Sequence, residues 1–239
     1  MSRRCDSWGA NLRKEVWEFW KDLENEYPGW EDGFQVFFGP VNETAPILIL
    51  GINPGGDSDA FENNRENFEA GDFCLDSDHH YLREGDESPA LGDEMLDLIG
   101  ETIIRNSVKS NVNFFRSANT DLLDERLEGV SSPQEKCFEW VDEIIERVNP
   151  EIILCEGLRA YNDVRGHIIN SNTQECTRRE IAGKNCKIVC VAETETCPII
   201  GIPHLSGQAG QYYNYTDEHK QLMQDTIYEE VERNTDLTI

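Results

Sequence analysis

Lysine is scarce in this 239-residue chain. It supplies seven of only 21 basic residues, set against 47 acids, which leaves a formal net charge of −26 and an isoelectric point near 4.4. So few cations exclude the broad basic surface with which nucleic-acid proteins usually neutralise phosphates. Either the partner is not a polyanion, or the protein works in high salt, where an acidic surface keeps it soluble and charge repulsion is screened. Apolar runs of the roughly 18 residues that a membrane span requires are missing too. The first residues, Met-Ser-Arg-Arg-Cys-Asp-Ser, have no apolar stretch behind their charges, as a secretory signal would. The eight cysteines include no CxxC pair and are too sparse for a stapled secreted scaffold. A cytoplasmic, reducing setting with no membrane partner is the expectation.

What is present is uneven. Residues 158–191 carry six bases against three acids, whereas residues 57–101 hold fifteen acids with only Arg65 and Arg83 to offset them. The first pattern is either a local basic face on an acidic body or ordinary loop solvation.

Periodicity predicts a helix over 10–26, where Leu12, Val16, Phe19, Trp20 and Leu23 recur at three- and four-residue spacing. Residues 34–38 are an aromatic, β-prone edge segment. The run Ile47-Leu-Ile-Leu, bounded by Pro46 and Gly51, suits a strand buried on both faces of a parallel sheet. Residues 57–92 read as an acidic excursion with little regular structure, ahead of a helix over 93–106. A second strand is expected at 111–115. A capped helix follows from Ser132-Pro133 to Asn149-Pro150. Further strands are expected at 151–157, 187–191 and 199–202, with a short helix at 158–169 and a last one capped by Thr216. Strands alternating with helices imply one domain: a three-layer α/β/α sandwich around a mostly parallel sheet. Ligands of such sheets bind beyond the carboxyl ends of the strands, so the turns at 51–56, 111–116, 156–159 and 203–207 should converge on one crevice.

Three elements at those turns carry chemistry. Gly51-Ile-Asn53-Pro54-Gly55-Gly56 holds an amide on a rigid turn, and lacks the lysine and spacing of a nucleotide-triphosphate loop. Asn113 either enters the crevice or serves a backbone network. Pro203-His204-Leu205-Ser206-Gly207 places an imidazole and a hydroxyl after the last strand. Their order resembles the uracil-DNA glycosylase superfamily over roughly residues 45–230, and the first motif is most similar to its mismatch-specific uracil/thymine branch.

The resemblance implies a uracil-DNA glycosylase-like fold and hydrolysis of the N-glycosidic bond of uracil, or a related deaminated base, flipped from DNA. Asn53 would position the attacking water through its side-chain carbonyl, and His204 would donate a hydrogen bond to the departing base. Asn113, or alternatively Asn111, would read the base edge. Phe61 or Phe68, and less favourably Phe73, would stack on it. Pro54, Gly55, Ser206 and Gly207 would grip DNA phosphates, and Tyr212 or Tyr213 either wedges the duplex or simply packs. Leu205 departs from the proline common in relatives. No cofactor is expected: Cys5 lacks the CxxC neighbour of the iron–sulfur branches, and Cys176, Cys186, Cys190 and Cys197 match no zinc spacing. A monomer is expected. Two other readings stay open: a non-catalytic protein of this fold binding a nucleobase, nucleotide or protein, and a small-molecule enzyme using Asn53 and His204.

Overall fold

Three apolar runs, each too short for a helix and closed off by Pro, Gly or Asn, make the centre of a single sheet. They are β1 (Ile47–Gly51), β3 (Ile152–Glu156) and β6 (Ile199–Ile202), and every residue in them is buried. The computed structural model describes residues 7–27, 29–56, 58–83, 89–130, 132–181, 183–205 and 215–239. With β2 (Ser107–Asn111), β4 (Glu175–Ile181) and β5 (Lys184–Ala192), the sheet has six strands in the order β2-β1-β3-β6-β5-β4. β2, β1, β3 and β6 run parallel, β5 is antiparallel to β6, and β4 is antiparallel to β5. The sheet is therefore mixed but mostly parallel, with β1 and β6 separated only by β3.

Strand alternation sends successive side chains to opposite faces, and both faces carry helices. Leu48, Leu50, Ile153, Cys155 and Ile199 point into one cluster. It is filled by α1 (Trp8–Glu26), α2 (Ser58–Glu69), α4 (Thr120–Gly129), α5 (Ser132–Val148) and α6 (Leu158–Asp163). Ile47, Ile49, Ile152, Leu154, Ile200 and Ile202 meet α3 (Pro89–Arg105) and α7 (Asp217–Asn234) on the other. Burying each such aliphatic side chain is worth about 1.5–3 kcal/mol.

The helices form where the periodicity predicts. In α1 the buried stripe runs through Leu12, Val16, Trp20 and Leu23, and Ser7 caps the start by accepting the Ala10 N–H at 3.3 Å. α5 buries Cys137, Trp140, Val141, Ile144 and Val148. It stops where Asn149 takes a left-handed conformation (φ 47°) ahead of Pro150. α7 follows Thr216, whose N–H bonds His219 Nδ1 at 3.1 Å.

Several expectations are corrected. The excursion at 57–92 contains the helix α2, because Phe61 and Phe68, seven residues apart, share one helical face and close the aromatic cluster over α1. α3 starts at Pro89 rather than 93, and Gly100 (φ 77°) interrupts it with a conformation only glycine adopts cheaply. The second strand lies at 107–111, before the predicted 111–115. The polar sequence Ser-Val-Lys-Ser-Asn hides it from hydrophobic patterning. Residues 34–38 form no strand. Phe34 makes an isolated bridge with Phe115, and the Gln35 and Phe38 amides bond irregularly to Phe114 and Lys109 along the edge of β2. The short helix at 158–169 ends at Asp163 and continues as a wider π turn, 164–168. β4, polar and largely exposed, has no apolar signature; it is a strand only by pairing with β5. There Cys176 and Cys190, directly opposite, form a disulfide. Cys74 is also disulfide-bonded, so the cysteines are not all reduced as expected. Among the described residues no helix is long and apolar enough to cross a membrane.

Candidate functional site

The carboxyl ends of β1, β2, β3 and β6 lie on one sheet edge, and hydrogen bonds sew their turns together. Val112 N–H donates to Gly51 O at 2.8 Å, Asn113 N–H to Ile52 O at 2.8 Å, Ser117 N–H to Pro54 O at 3.2 Å and Gly157 N–H to Ile202 O at 2.9 Å. Asn53 is set within this frame. Its Nδ2 donates to Pro54 O at 2.9 Å and Ser117 O at 3.3 Å, while its Oδ1 accepts nothing among the described residues. The amide is thus anchored by its donors, with its acceptor left over. Arg116, buried against the loop, clamps it by donating to Gly55 O and, at 2.6 Å, to Gln35 Oε1. Gly55 and Gly56 are exposed, and their N–H groups donate to no described residue.

Two groups of expected site residues lie elsewhere. Phe61 and Phe68 are 1% and 5% exposed. Phe61 packs on Trp20 and Phe34 at 5.0 and 5.3 Å, and Phe68 packs on Trp17 and Phe34 at 5.6 and 5.4 Å. Neither ring has a face to offer a ligand; they are core because α1 needs an apolar cover. Phe73 stacks on Phe68 at 5.2 Å and belongs to the same cluster. Asn113 turns inward: its Oδ1 accepts the Phe115 N–H at 3.0 Å and faces Cys137 Sγ at 3.9 Å, fixing the backbone beyond β2. Of the four cysteines weighed as metal ligands, Cys176 and Cys190 are bonded to each other. Ser206, Gly207, Tyr212 and Tyr213 lie outside the described residues.

In their place the structure brings Asn111, the alternative reader of the base edge, and Gly51 of the first motif together with Lys109 and Glu156, which patterning missed. Lys109 and Asn111 on β2, Gly51 on β1 and Glu156 on β3 share one sheet face by register. A Cβ at Gly51 would lie 2.2 Å from Asn111 Oδ1 and 3.2 Å from Lys109 Nζ, so glycine is required where that amide crosses β1. Asn111 Nδ2 is buried without a hydrogen-bond partner. Glu156, 2% exposed, accepts from Lys109 Nζ at 3.0 Å and from the Tyr81 hydroxyl through Oε2. Its Oε1 accepts no hydrogen bond and lies 3.8 Å from His204 Nε2. His204 is partly exposed and packs beside Gly157. Lys109 Nζ also sits 5.4 Å from the Phe38 ring and 5.3 Å from the Tyr81 ring.

Electrostatics follow from this packing. Burial alone would raise the Glu156 pKa, but Lys109, His204 and the Tyr81 hydroxyl outweigh it and hold the carboxyl down at about 2. Burial, and then the Glu156 charge, push Tyr81 well above its ordinary value, so it remains a donor. His79 is driven down to about 3, first by burial and then by Lys109, His80 and Arg83. Its Nδ1 accepts the Tyr81 N–H at 3.3 Å and its Nε2 faces Ser107 Oγ at 3.3 Å, an arrangement suited to the neutral ring protonated at Nε2. A lysine inside a buried strand and a glutamate closing another were visible in Ser107-Val-Lys109 and Leu154-Cys-Glu156. Only the register shows that they pair. No family model matches this chain, and no curated protein matches it in sequence.

Two predictions follow from the buried charges. Lys109→Met strands the Glu156 carboxylate and should cost about 3–5 kcal/mol in urea unfolding, while the double change Lys109→Met/Glu156→Leu should recover much of that loss. A double variant no more stable than the single one would show that the pair is not the cause. For pH, an unfolded chain takes up a proton at His79 near 6.5, whereas the folded chain does so only near 3. Stability should therefore fall as pH drops below about 6.5, by at most about 1.4 kcal/mol per pH unit. Glu156 adds loss only further down, from its unfolded value near 4.5 toward about 2. His79→Asn should flatten the upper part of that profile, measured by urea midpoints at several pH values. An unchanged slope between pH ~6.5 and ~5 would refute the assignment.

Proposed function

We propose that the protein is a DNA glycosylase of uracil-DNA glycosylase-like fold, hydrolysing the N-glycosidic bond of uracil or a related deaminated base. The observation that carries this reading is that β1 and β6, whose following turns hold Asn53 and His204, lie two interstrand spacings apart with only β3 between them. Two spacings are about 10 Å, a span from which two side chains can address opposite sides of one pyrimidine ring.

The roles divide as the groups allow. Asn53, its donors tied to Pro54 and Ser117, keeps a carbonyl oxygen to orient a water. Asn111 replaces Asn113 as the reader of the base edge, because its Nδ2 is a buried donor still lacking an acceptor and burial without one costs about 1–3 kcal/mol. His204 donates to the base as negative charge leaves the sugar, the step where a fixed donor contributes most. The adjacent Glu156 does not oppose that charge, because Lys109 and Tyr81 offset its own. The free N–H groups of Gly55 and Gly56 suit a DNA phosphate. The carboxyl-rich exterior is compatible with DNA in high salt, where the screening length falls to about 3 Å at 1 M.

The test is incubation of the protein in high salt with a uracil-containing oligonucleotide, followed by alkaline cleavage of abasic sites. Asn53→Ala and His204→Ala should each lose about 10²-fold or more. Asn111→Ala should lose activity, while Asn113→Ala should mainly lower thermal stability. No strand cleavage by the folded wild type, on uracil in single or double strands, would refute the proposal. Because an amide cannot take a proton, Asn53→Asp should gain part of the roughly 10²–10⁴-fold available to a general base. A slower, still folded Asn53→Asp variant would argue against the role given to Asn53.

A further inference from the structure

The hairpin β4–β5 gathers cations on an otherwise acid-rich surface. In the β5–β6 register Cys190 faces Gly201, and β6 ends one residue later at Ile202. Because β5 is antiparallel to β6, its first half runs past that end on the same sheet edge as His204, paired only with β4. Residues 184–188 extend about 17 Å at ~3.4 Å per residue. By the same register Lys187 comes level with position 204.

This projecting half carries Arg178, Arg179, Lys184 and Lys187; the first three are exposed and Lys187 is half-buried. None of the four has a carboxylate partner among the described residues; elsewhere Lys14 and Arg165 share that condition singly, while Lys21, Arg65, Arg105, Lys136, Arg147 and Arg233 are all paired. Arg178 and Lys187 stand directly opposite each other in the ladder, a like-charge pairing that destabilises a sheet unless an anion lies between. Four unpaired cations in a chain of net charge −26 are therefore concentrated beside the candidate site.

We propose that this hairpin is a DNA-binding arm whose four cations contact the phosphate backbone flanking the base held at the strand ends. The assignment deepens the glycosylase reading and rests on it for the identity of the polyanion. Acid-rich faces elsewhere repel phosphate, so the arm also sets which side of the protein meets the duplex.

The experiment measures binding of a labelled, undamaged duplex of about 20 base pairs over a range of KCl at which circular dichroism shows the protein folded, because each phosphate contact contributes about −0.9 to the slope of log K against log salt. Three proteins are compared: wild type, the arm variant Arg178→Gln/Arg179→Gln/Lys184→Gln/Lys187→Gln, and the control Arg105→Gln/Arg147→Gln/Arg233→Gln. The arm variant should reduce the slope by up to about 3.6, and the control should leave it unchanged. The half variant Lys184→Gln/Lys187→Gln should fall between. Relief of the Arg178–Lys187 repulsion should leave the arm variant's melting temperature no lower than wild type, whereas a purely structural role would lower it. An unchanged slope in the arm variant, or no duplex binding by wild type, overturns the arm. If wild type excises uracil with an arm-independent slope, the glycosylase reading survives alone. If it binds with an arm-dependent slope and excises nothing, the arm stands and the glycosylase reading falls.

Discussion

A lysine and a glutamate buried inside a parallel sheet are tolerable only together. Lys109 and Glu156 are 5% and 2% exposed and sit two strands apart, on β2 and β3, with β1 between them. Lys109 is level with Ile49 of β1, and its side chain reaches forward to meet Glu156 at 3.0 Å across Gly51, which has no Cβ and leaves the space open. The absent Cβ thus admits both the ion pair and the Asn111 amide. Tyr81 closes the group from the segment between α2 and α3, and His204 approaches from β6. Groups from β2, from the segment between α2 and α3 and from the turn after β6 thus converge on one carboxylate of β3, and this ties the strand-end turns to the buried charge.

That arrangement has a functional corollary. A buried carboxylate held ionised by a lysine is an expensive feature for stability alone, since a well-packed apolar replacement of such a pair is often neutral or better. Its neighbours are an imidazole with partial solvent access and an amide lacking a partner, the two kinds of group that can bind the edge of a small heterocycle. The charge distribution of the surface points the same way. The candidate site and the unpaired cations of the β4–β5 hairpin occupy one edge of the sheet.

The layered architecture was legible from patterning where burial and periodicity coincide. Ile47–Leu50, Ile152–Leu154 and Ile199–Ile202 are apolar without interruption because helices cover them on both faces. α1 and α5 show their inner stripes at three- and four-residue spacing. Patterning failed where a segment's state is set by its neighbours. β2 is polar yet wholly buried, since Lys109 and Ser110 find partners in Glu156 and Val36 O, and the Asn111 amide fits the space over Gly51. β4 is a strand because β5 offers it a ladder. Phe61 and Phe68 looked available in an acidic stretch, but the tryptophans of α1 needed a cover and took them.

The sequence by itself determined the alternation of strands and helices, the sheet edge on which Asn53 and His204 stand, and the acidity of the surface, because these follow from local periodicity, turn chemistry and charge. Tertiary structure alone decided that Asn111 rather than Asn113 carries the unsatisfied amide. It also decided that Glu156 and Lys109 meet, and that four cations line one projecting hairpin. Each of those facts is a contact across strands. Inter-strand register is set by packing of the whole sheet, and nothing in the order of residues along one strand encodes which residue of another will stand beside it.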